Sequence, residues 1–384
     1  MTVSALTRPG ERERLIVKLS EVDWVFVLVL CLIAGAGALM QFSIAGSSWQ
    51  PWAAAHVIRF ALCVLLMVAL AMIDIRVWFA LAYPIYGLGV VLLIAVELVG
   101  DVRLGAQRWL SLGPVSFQPS EMMKLGIVLA LARLYHGVPA DRARLSWWLL
   151  IPAAMIAVPV GLVALEPDLG TAMLIALTGT AIVVMAGLSW RLIGIGIAGA
   201  LAAVVPVVTF VLHDYQRERI FTFLHPETDP SGAGYHILQS MIALGSGGLL
   251  GKGYGLGSQS QLNFLPEKQT DFIFATLAEE FGFVGCVSIL VLYAAVIFMA
   301  LRTAYVSHSH FGRLAAAGAT ATFTLYVLIN GAMVMGLAPV VGVPMPLLSY
   351  GGTVILTVMI GFGLVQSVRV HRYAEVTSGK GSFV

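Results

Sequence analysis

Residues 251–285 read GKGYGLGSQSQLNFLPEKQTDFIFATLAEEFGFVG, and the change of character inside this stretch decides the fold. The first half is glycine-rich and polar. From Phe272 the chain turns apolar and, Glu279 and Glu280 apart, stays so to about Leu301. Such a run predicts a membrane-spanning helix, because a hydrocarbon core about 30 Å thick needs roughly 20 apolar residues. Glu267, Lys268, Gln269, Thr270 and Asp271 occupy the junction. A carboxylate therefore stands where an aqueous loop meets a membrane helix. A soluble group and a lipid-borne one can both reach such a place.

The composition extends this reading to the whole chain. Hydrophobic residues make up 59% and charged residues 11%, whereas soluble domains carry about 25% charged residues. This is the balance of an all-α integral membrane protein with little mass outside the bilayer. The formal net charge of +2 says little about partners. Basic residues do not interleave with aromatics on a polar face, so nothing suggests nucleic-acid binding. The N-terminal segment 1–21 is charged and polar and lacks the short apolar core and cleavage site of a secretory signal. Cys31, Cys63 and Cys286 all fall in apolar spans and read as small buried hydrophobes.

By the same length rule, spans fall near 22–45, 52–73, 77–99, 119–136, 146–166, 168–188, 191–212, 271–301, 311–337 and 347–369. Ten is an even number, so both termini share a side. Of the 22 basic residues, Arg103, Arg108, Arg217, Arg219, Lys252 and Lys268 lie on one face, and Arg59 and Lys124 lie within spans. The others, including Arg8, Arg142, Arg144 and Lys380, gather on the face of the termini. The positive-inside rule therefore predicts cytoplasmic termini, with a cytoplasmic tail from 370 to 384. The long segment 213–270, between the seventh and eighth spans, then lies outside. A loop of that length is more often functional or partly folded than structureless. Within it, 225–230 (HPETDP) is turn chemistry. Apolar residues at 237, 238, 241, 242 and 244 have helical spacing, which predicts an amphipathic helix against the membrane surface.

Polar residues cluster at four places on that outer face: 107–109 with 117–124, Glu166 to Asp168, the long loop with Arg217 and Arg219, and Lys268 to Asp271. All four converge if the helices bundle. Glu121 and Lys124 are three apart at the start of a span and share a helical face. They form either a self-neutralising pair that lets the helix enter lipid or a charged site on a cavity, since intramembrane charges usually face an interior. Asp168 and Asp271 can each be a helix cap with a dipole-matched charge or a functional acid. Glu279 and Glu280 lie deeper, where a pairing with Arg59 is open. Segment 342–352 (GVPMPLLSYGG) combines two prolines with glycines at a membrane boundary. It reads either as a plain helix-start turn or as broken or re-entrant backbone, which is tolerated where it is buried in protein or lines a cavity, and in the second case Ser349 and Tyr350 can face that cavity. GKGYGLG is not a phosphate-binding loop, because Lys252 is followed by glycine and no strand precedes it.

LPEKQTDFIFATLAEEFGFVG, GVPMPLLSYGG, LEPDLGTA and QRWLSLGPVSFQPSEMMKL together resemble the shape, elongation, division and sporulation family, from the first span to the tenth. The run GSQSQL points to its rod-shape branch rather than its division branch. Gln269 stands where many members carry histidine. The resemblance implies a peptidoglycan glycosyltransferase that polymerises lipid II, partnered by a class B penicillin-binding protein. Carried onto matching positions, the essential acid is Asp271, the charged pair is Glu121 and Lys124, and the arginine of the QRW motif is Arg108. On that footing Asp271 acts as general base, and Arg108, Lys124, Arg217 and Lys268 are candidates to hold the leaving pyrophosphate. A divalent cation, Mg or Mn, could share that role, although no dedicated metal cage is visible in the sequence. Two rival readings are a lipid II flippase, which ten spans with broken helices also suit, and a non-catalytic scaffold of wall enzymes.

Overall fold

A computed structural model describes residues 9–103, 106–112, 115–138, 147–211, 214–228, 232–265 and 267–376. Arg8, Arg142, Arg144 and Lys380, used above for topology, lie outside the described residues, as do Asp229 and Pro230 of the 225–230 turn. All ten expected spans are helices: α2 (Trp24–Ile44), α3 (Trp52–Ala71), α4 (Ile75–Val99), α5 (Pro119–His136), α6 (Leu150–Leu165), α7 (Leu169–Met185), α8 (Trp190–Pro206), α12 (Ile273–Val306), α13 (His310–Val334) and α14 (Gly352–Val370). Among the described residues, seven spans are long and apolar enough to cross a membrane, and α6 and α7 are shorter apolar helices. Within its 18 residues α5 carries Glu121, Lys124 and Arg133, yet buries the first two. This is a multi-pass membrane protein.

The N-terminal segment, read as merely polar, forms helix α1 (Pro9–Glu21). Between α4 and α5 the chain makes three short antiparallel strands, β1 (Asp101–Arg103), β2 (Ala106–Leu112) and β3 (Val115–Phe117), in that order. The long segment before α12 carries α9 (Asp214–Leu224), α10 (Ala233–Ser246) and the single turn α11 (Ser258–Gln261). Helix α10 is the expected amphipathic helix, but its buried face meets protein. Ile237 and Ala243 are buried, and Ser240 Oγ donates to Val334 O at 2.8 Å, while Met241 and Ile242 stay exposed.

Helix α13 lies at the centre. Phe311, Ala315, Phe323, Tyr326 and Asn330 are buried along it, and it packs against α5, α7, α12 and α14. No described side chain of α8 is buried, so α8 stands at the edge of the bundle.

Helix α12 is broken at Gly282, where φ is +64° and ψ is −160°. Only glycine adopts this region readily. The break leaves helical amides and carbonyls without intrahelical partners at membrane depth, where each must be satisfied. The loop after α10 satisfies them. Phe283 N donates to Gly248 O at 2.9 Å and Val284 N to Leu249 O at 3.1 Å, while Lys252 N and Gly253 N donate to Glu279 O and Glu280 O. The same loop neutralises Glu279, fully buried, through Lys252 Nζ at 2.7 Å and Gln259 N at 3.0 Å. Glu280 accepts from Ser43 Oγ. Arg59, considered as a partner for these glutamates, instead lies 4.7 Å from the ring centre of Tyr350. A methyl at position 282 would meet Gly251 N at 2.3 Å and would need a strained φ. Gly282→Ala should therefore lose about 1–3 kcal/mol or more of stability. Melting in detergent checks this, and an unchanged melting temperature would refute the wedge.

Candidate active site

The site is built at the end of the bundle where α12 and α14 begin and α13 ends. Three successive backbone carbonyls before α12 are each held by another element. Gln269 O accepts from Gln41 Nε2 at 2.9 Å and from Tyr350 N at 2.8 Å. Thr270 O accepts from Ser349 Oγ at 2.6 Å. Asp271 O accepts from Asn330 Nδ2 at 2.8 Å, and the same amide group donates to Val343 O at 2.7 Å. The re-entrant segment 335–351 supplies several of these contacts, as its prolines and glycines predict, and Tyr293 Oη ties it to α12 through Pro346 O at 2.5 Å.

The Asp271 carboxylate, by contrast, has no hydrogen bond or ion pair among the described residues. A methyl on Gly342 would lie 3.6 Å from its Oδ2, so a backbone without side chain faces the acid. Helix α12 starts after Phe272 with no side-chain cap, so Asp271 is not a helix cap. Burial, then the negative charge of Glu267, pushes its pKa up to about 6. Both causes disfavour the charged form. An acid with this value is a proton acceptor poised near neutral pH.

Asp168 resolves the other way. Its Oδ1 accepts from Thr171 N at 3.1 Å and caps α7. Arg108, on β2, reaches across to this turn, with Nη2 donating to Pro167 O at 2.6 Å and Nε lying 3.6 Å from Asp168 Oδ2. Glu166 beside them is buried with both oxygens unpartnered, and burial with the charges of Asp168 and Glu97 raises its pKa to about 8. The first turn of α7, directly after it, touches the re-entrant segment, since a methyl on Gly170 would meet Val341 O at 2.4 Å. Arg108, the 166–168 turn, Gly342 and Asp271 thus adjoin one another in sequence of contact, whereas Arg217, from the third expected cluster, bonds Val208 O and Thr209 O instead.

Glu121 and Lys124 pair at 2.6 Å, both buried. Tyr326 Oη donates to Glu121 Oε2 at 2.8 Å and also contacts Lys124 Nζ. Tyr326 and Asn330 were not singled out in the sequence. The available signal was their i, i+4 spacing inside an apolar span, which puts two hydrogen-bonding groups on one intramembrane face.

Lys268 lies beside Asp271 in sequence, but its ammonium donates to Ser260 O and to Asn263 Oδ1, the latter at 2.7 Å. Burial lowers its pKa. Arg217 donates to Val208 O at 3.1 Å and Thr209 O at 2.8 Å and bonds the end of the α8 segment. Ser349 is buried and engaged at Thr270 O and Met345 N. These three side chains hold backbone in the described structure.

Comparison with known proteins gives the family. A family model of the FtsW, RodA and SpoVE cell cycle proteins matches residues 19–374. The chain is 47% identical over 315 residues to the peptidoglycan glycosyltransferase MrdB of Escherichia coli K12, covering 82% of this chain and 84% of that protein. It is 39% identical to a probable peptidoglycan glycosyltransferase FtsW of Synechocystis, covering 71% and 68%. Among solved structures it is similar to a chain from a peptidoglycan synthase complex described for coordinating polymerization and crosslinking, with TM-score 0.79, 34% identity and coverage of 92% and 98%. It is also similar to the rod shape determining protein RodA of Thermus thermophilus, with TM-score 0.69, 31% identity and the same coverage. With nearly the whole chain matched by one family model, this protein belongs to the FtsW, RodA and SpoVE family, which is the shape, elongation, division and sporulation family.

Proposed function

We propose that this chain, a peptidoglycan glycosyltransferase like its relatives, polymerises lipid II at the outer face of the cytoplasmic membrane during cell elongation, with Asp271 as the base. The observation that carries the assignment is the contrast at the junction. Carbonyls 269 to 271 are fixed by side chains and an amide from α2, α13 and the re-entrant segment, while the acid itself is unclaimed. A positioned acid with a raised pKa is what general-base catalysis requires.

In this reading the 4-hydroxyl of the acceptor N-acetylglucosamine gives its proton to Asp271. Its oxygen forms a bond to the anomeric carbon of the donor N-acetylmuramic acid from the face opposite the leaving group. The bond to phosphate breaks with inversion, and undecaprenyl pyrophosphate departs. Charge on that leaving group needs fixed donors in a low-dielectric cleft. Arg108 is the best placed of the expected cations, being partly exposed at the 166–168 turn. Arg59, which is not among the expected cations, lies over Tyr350 and close to Gly352 at the start of α14 and is a further candidate. Glu121, Lys124, Lys268, Arg217 and Ser349 support the site through the contacts above.

A magnesium or manganese ion is usually held by one or two carboxylates plus substrate phosphates. Among the described residues no group of three or more His, Cys, Asp or Glu side chains could hold such an ion, so substrate phosphates would have to supply most of its ligands beside a carboxylate of the junction. When bound there, such an ion would supply further charge for the pyrophosphate oxygens.

Purified protein given labelled lipid II should yield a ladder of glycan strands on a gel. Transport of lipid II in vesicles without any ladder would put the flippase reading ahead. Adding a class B penicillin-binding protein should raise the polymerisation rate, since the described loops opposite Asp271 leave little room for a regulatory domain. Equal rates across a range of partner concentrations would count against that partnership. Orientation follows from the basic residues. Reporters fused after Lys380 or near Pro139 should read as cytoplasmic, and one inserted near Asp229 as external. A cytoplasmic signal from Asp229 would overturn the topology and the site with it.

A further inference from the structure

The end of the bundle away from Asp271 carries a polar cavity of about 180 Å³, lined by Glu21, Arg302, Thr303, Val306, Arg369 and Arg372. It lies where α1 ends and where α12 and α14 end. Two of its arginines are accounted for within the protein. Arg372 Nη1 donates to Glu21 Oε2 at 2.5 Å, and Arg369 Nη1 pairs with Asp23 Oδ2 at 2.7 Å. The partial negative charge at the ends of α12 and α14 suits these cations as well. Arg302 is left over. Its guanidinium is exposed, with no ion pair or hydrogen bond among the described residues. Five guanidinium N–H groups in a fixed fork then face a cavity with one carboxylate in its lining.

The surroundings give the depth of this cavity in the bilayer. Trp24, Tyr305 and Tyr373 are all exposed around it. Exposed tryptophan and tyrosine mark the headgroup layer of a membrane protein. Helix α1 leaves Leu15, Ile16, Val17 and Leu19 exposed and carries Arg12, Arg14 and Lys18 in its 13 residues. That combination suits a helix lying in an anionic membrane surface. The cavity is smaller than the roughly 300–1,000 Å³ of pockets that enclose drug-sized ligands. It can take a phosphate headgroup, but not a nucleotide or a whole lipid.

We propose that the cavity between Glu21, Arg302, Arg369 and Arg372 receives the phosphate of an anionic phospholipid from the leaflet in which α1 lies, with Arg302 as its principal donor. Basic pockets at helix ends on the cytoplasmic side recognise headgroups in this way. The acyl chains would remain in the bilayer beside the lower half of α12. The lipid would thereby join α1, α12 and α14, three elements distant in sequence, at the end opposite the catalytic turn.

The test uses the full chain in phosphatidylcholine nanodiscs with or without phosphatidylglycerol, followed by native mass spectrometry and melting curves. Wild type should retain phosphatidylglycerol and melt higher in its presence. Arg302→Gln should retain about 10-fold less, the loss of one charge-assisted contact, with its melting temperature in phosphatidylcholine alone unchanged. Arg302→Lys, which keeps the charge, should fall between them, and Arg76→Gln, a charge change outside the cavity, should match wild type. Equal retention by wild type, Arg302→Gln and Arg302→Lys would overturn the site. Inorganic phosphate raising the melting temperature as much as phosphatidylglycerol would overturn the lipid assignment.

Discussion

Polymerisation of lipid II by Asp271→Asn should fall at least about 10²-fold, with membrane insertion unchanged, because asparagine keeps the shape but cannot take the proton. Asp271→Glu keeps the charge and moves it by a methylene, and a displacement of about 1 Å can itself cost roughly 10²-fold. The pH profile is a second readout. A base must be ionised to act, and the Asp271 carboxyl titrates near 6. Wild-type kcat/KM should therefore rise through pH 6 and level off above it, and any residual activity of the Asn variant should lack that limb. Stability should move the opposite way. A carboxyl whose pKa is raised on folding contributes most below its unfolded value near 4 and loses that contribution as pH rises to 6. Asp271→Asn should then melt at or above wild type at pH 7.5. An Asn variant that still makes long strands would remove Asp271 from the chemistry.

Lys124→Ala should be the most damaging change away from the junction. It leaves Glu121 charged, buried and without its cation, and breaking such a pair costs about 3–5 kcal/mol. Tyr326→Phe removes one donor to Glu121 and should cost about 1–3 kcal/mol. Protein level and polymerisation per molecule, measured separately, distinguish the two roles. If the pair serves the chemistry, Lys124→Ala should reduce activity per molecule more than level, because an unpaired Glu121 would repel the pyrophosphate. If the exchanged pair, Glu121→Lys with Lys124→Glu, restores full activity, the two residues serve only to neutralise one another.

Hydropathy alone located the ten helices, because the spacing rule of the bilayer acts on each segment separately. The same locality made Glu121–Lys124 visible at i, i+3, and the prolines and glycines of 342–352 visible as re-entrant backbone. What escaped were partners distant in the chain. Tyr326 lies 202 residues from Lys124, and nothing local in α13 announces the contact. Asp168 and Asp271 look alike in sequence, each a carboxylate at a helix start. Only the structure separates the one that caps its helix from the one that does not. The break at Gly282 was hidden for a related reason. Glycine is common in membrane helices, and whether it opens one depends on a loop 30 residues earlier. The strands β1 to β3 were not legible because runs of 3, 7 and 3 residues carry too little alternation to stand out between two apolar spans.

That wedged loop also divides the chain between α8 and α12 into a part that can be edited and a part that cannot. Residues 225–228 sit in a surface turn, and extra residues there would displace little buried backbone. Residues 247–253 supply hydrogen bonds that a continuous helix would have made for itself. Lengthening them by one residue would put every donor out of step with its acceptor. A tag, a cleavage site or a new domain thus has a natural place upstream of α10 and none between α10 and Asp271. Residues 247–253 are, in this sense, an interrupted stretch of α12 encoded ahead of it.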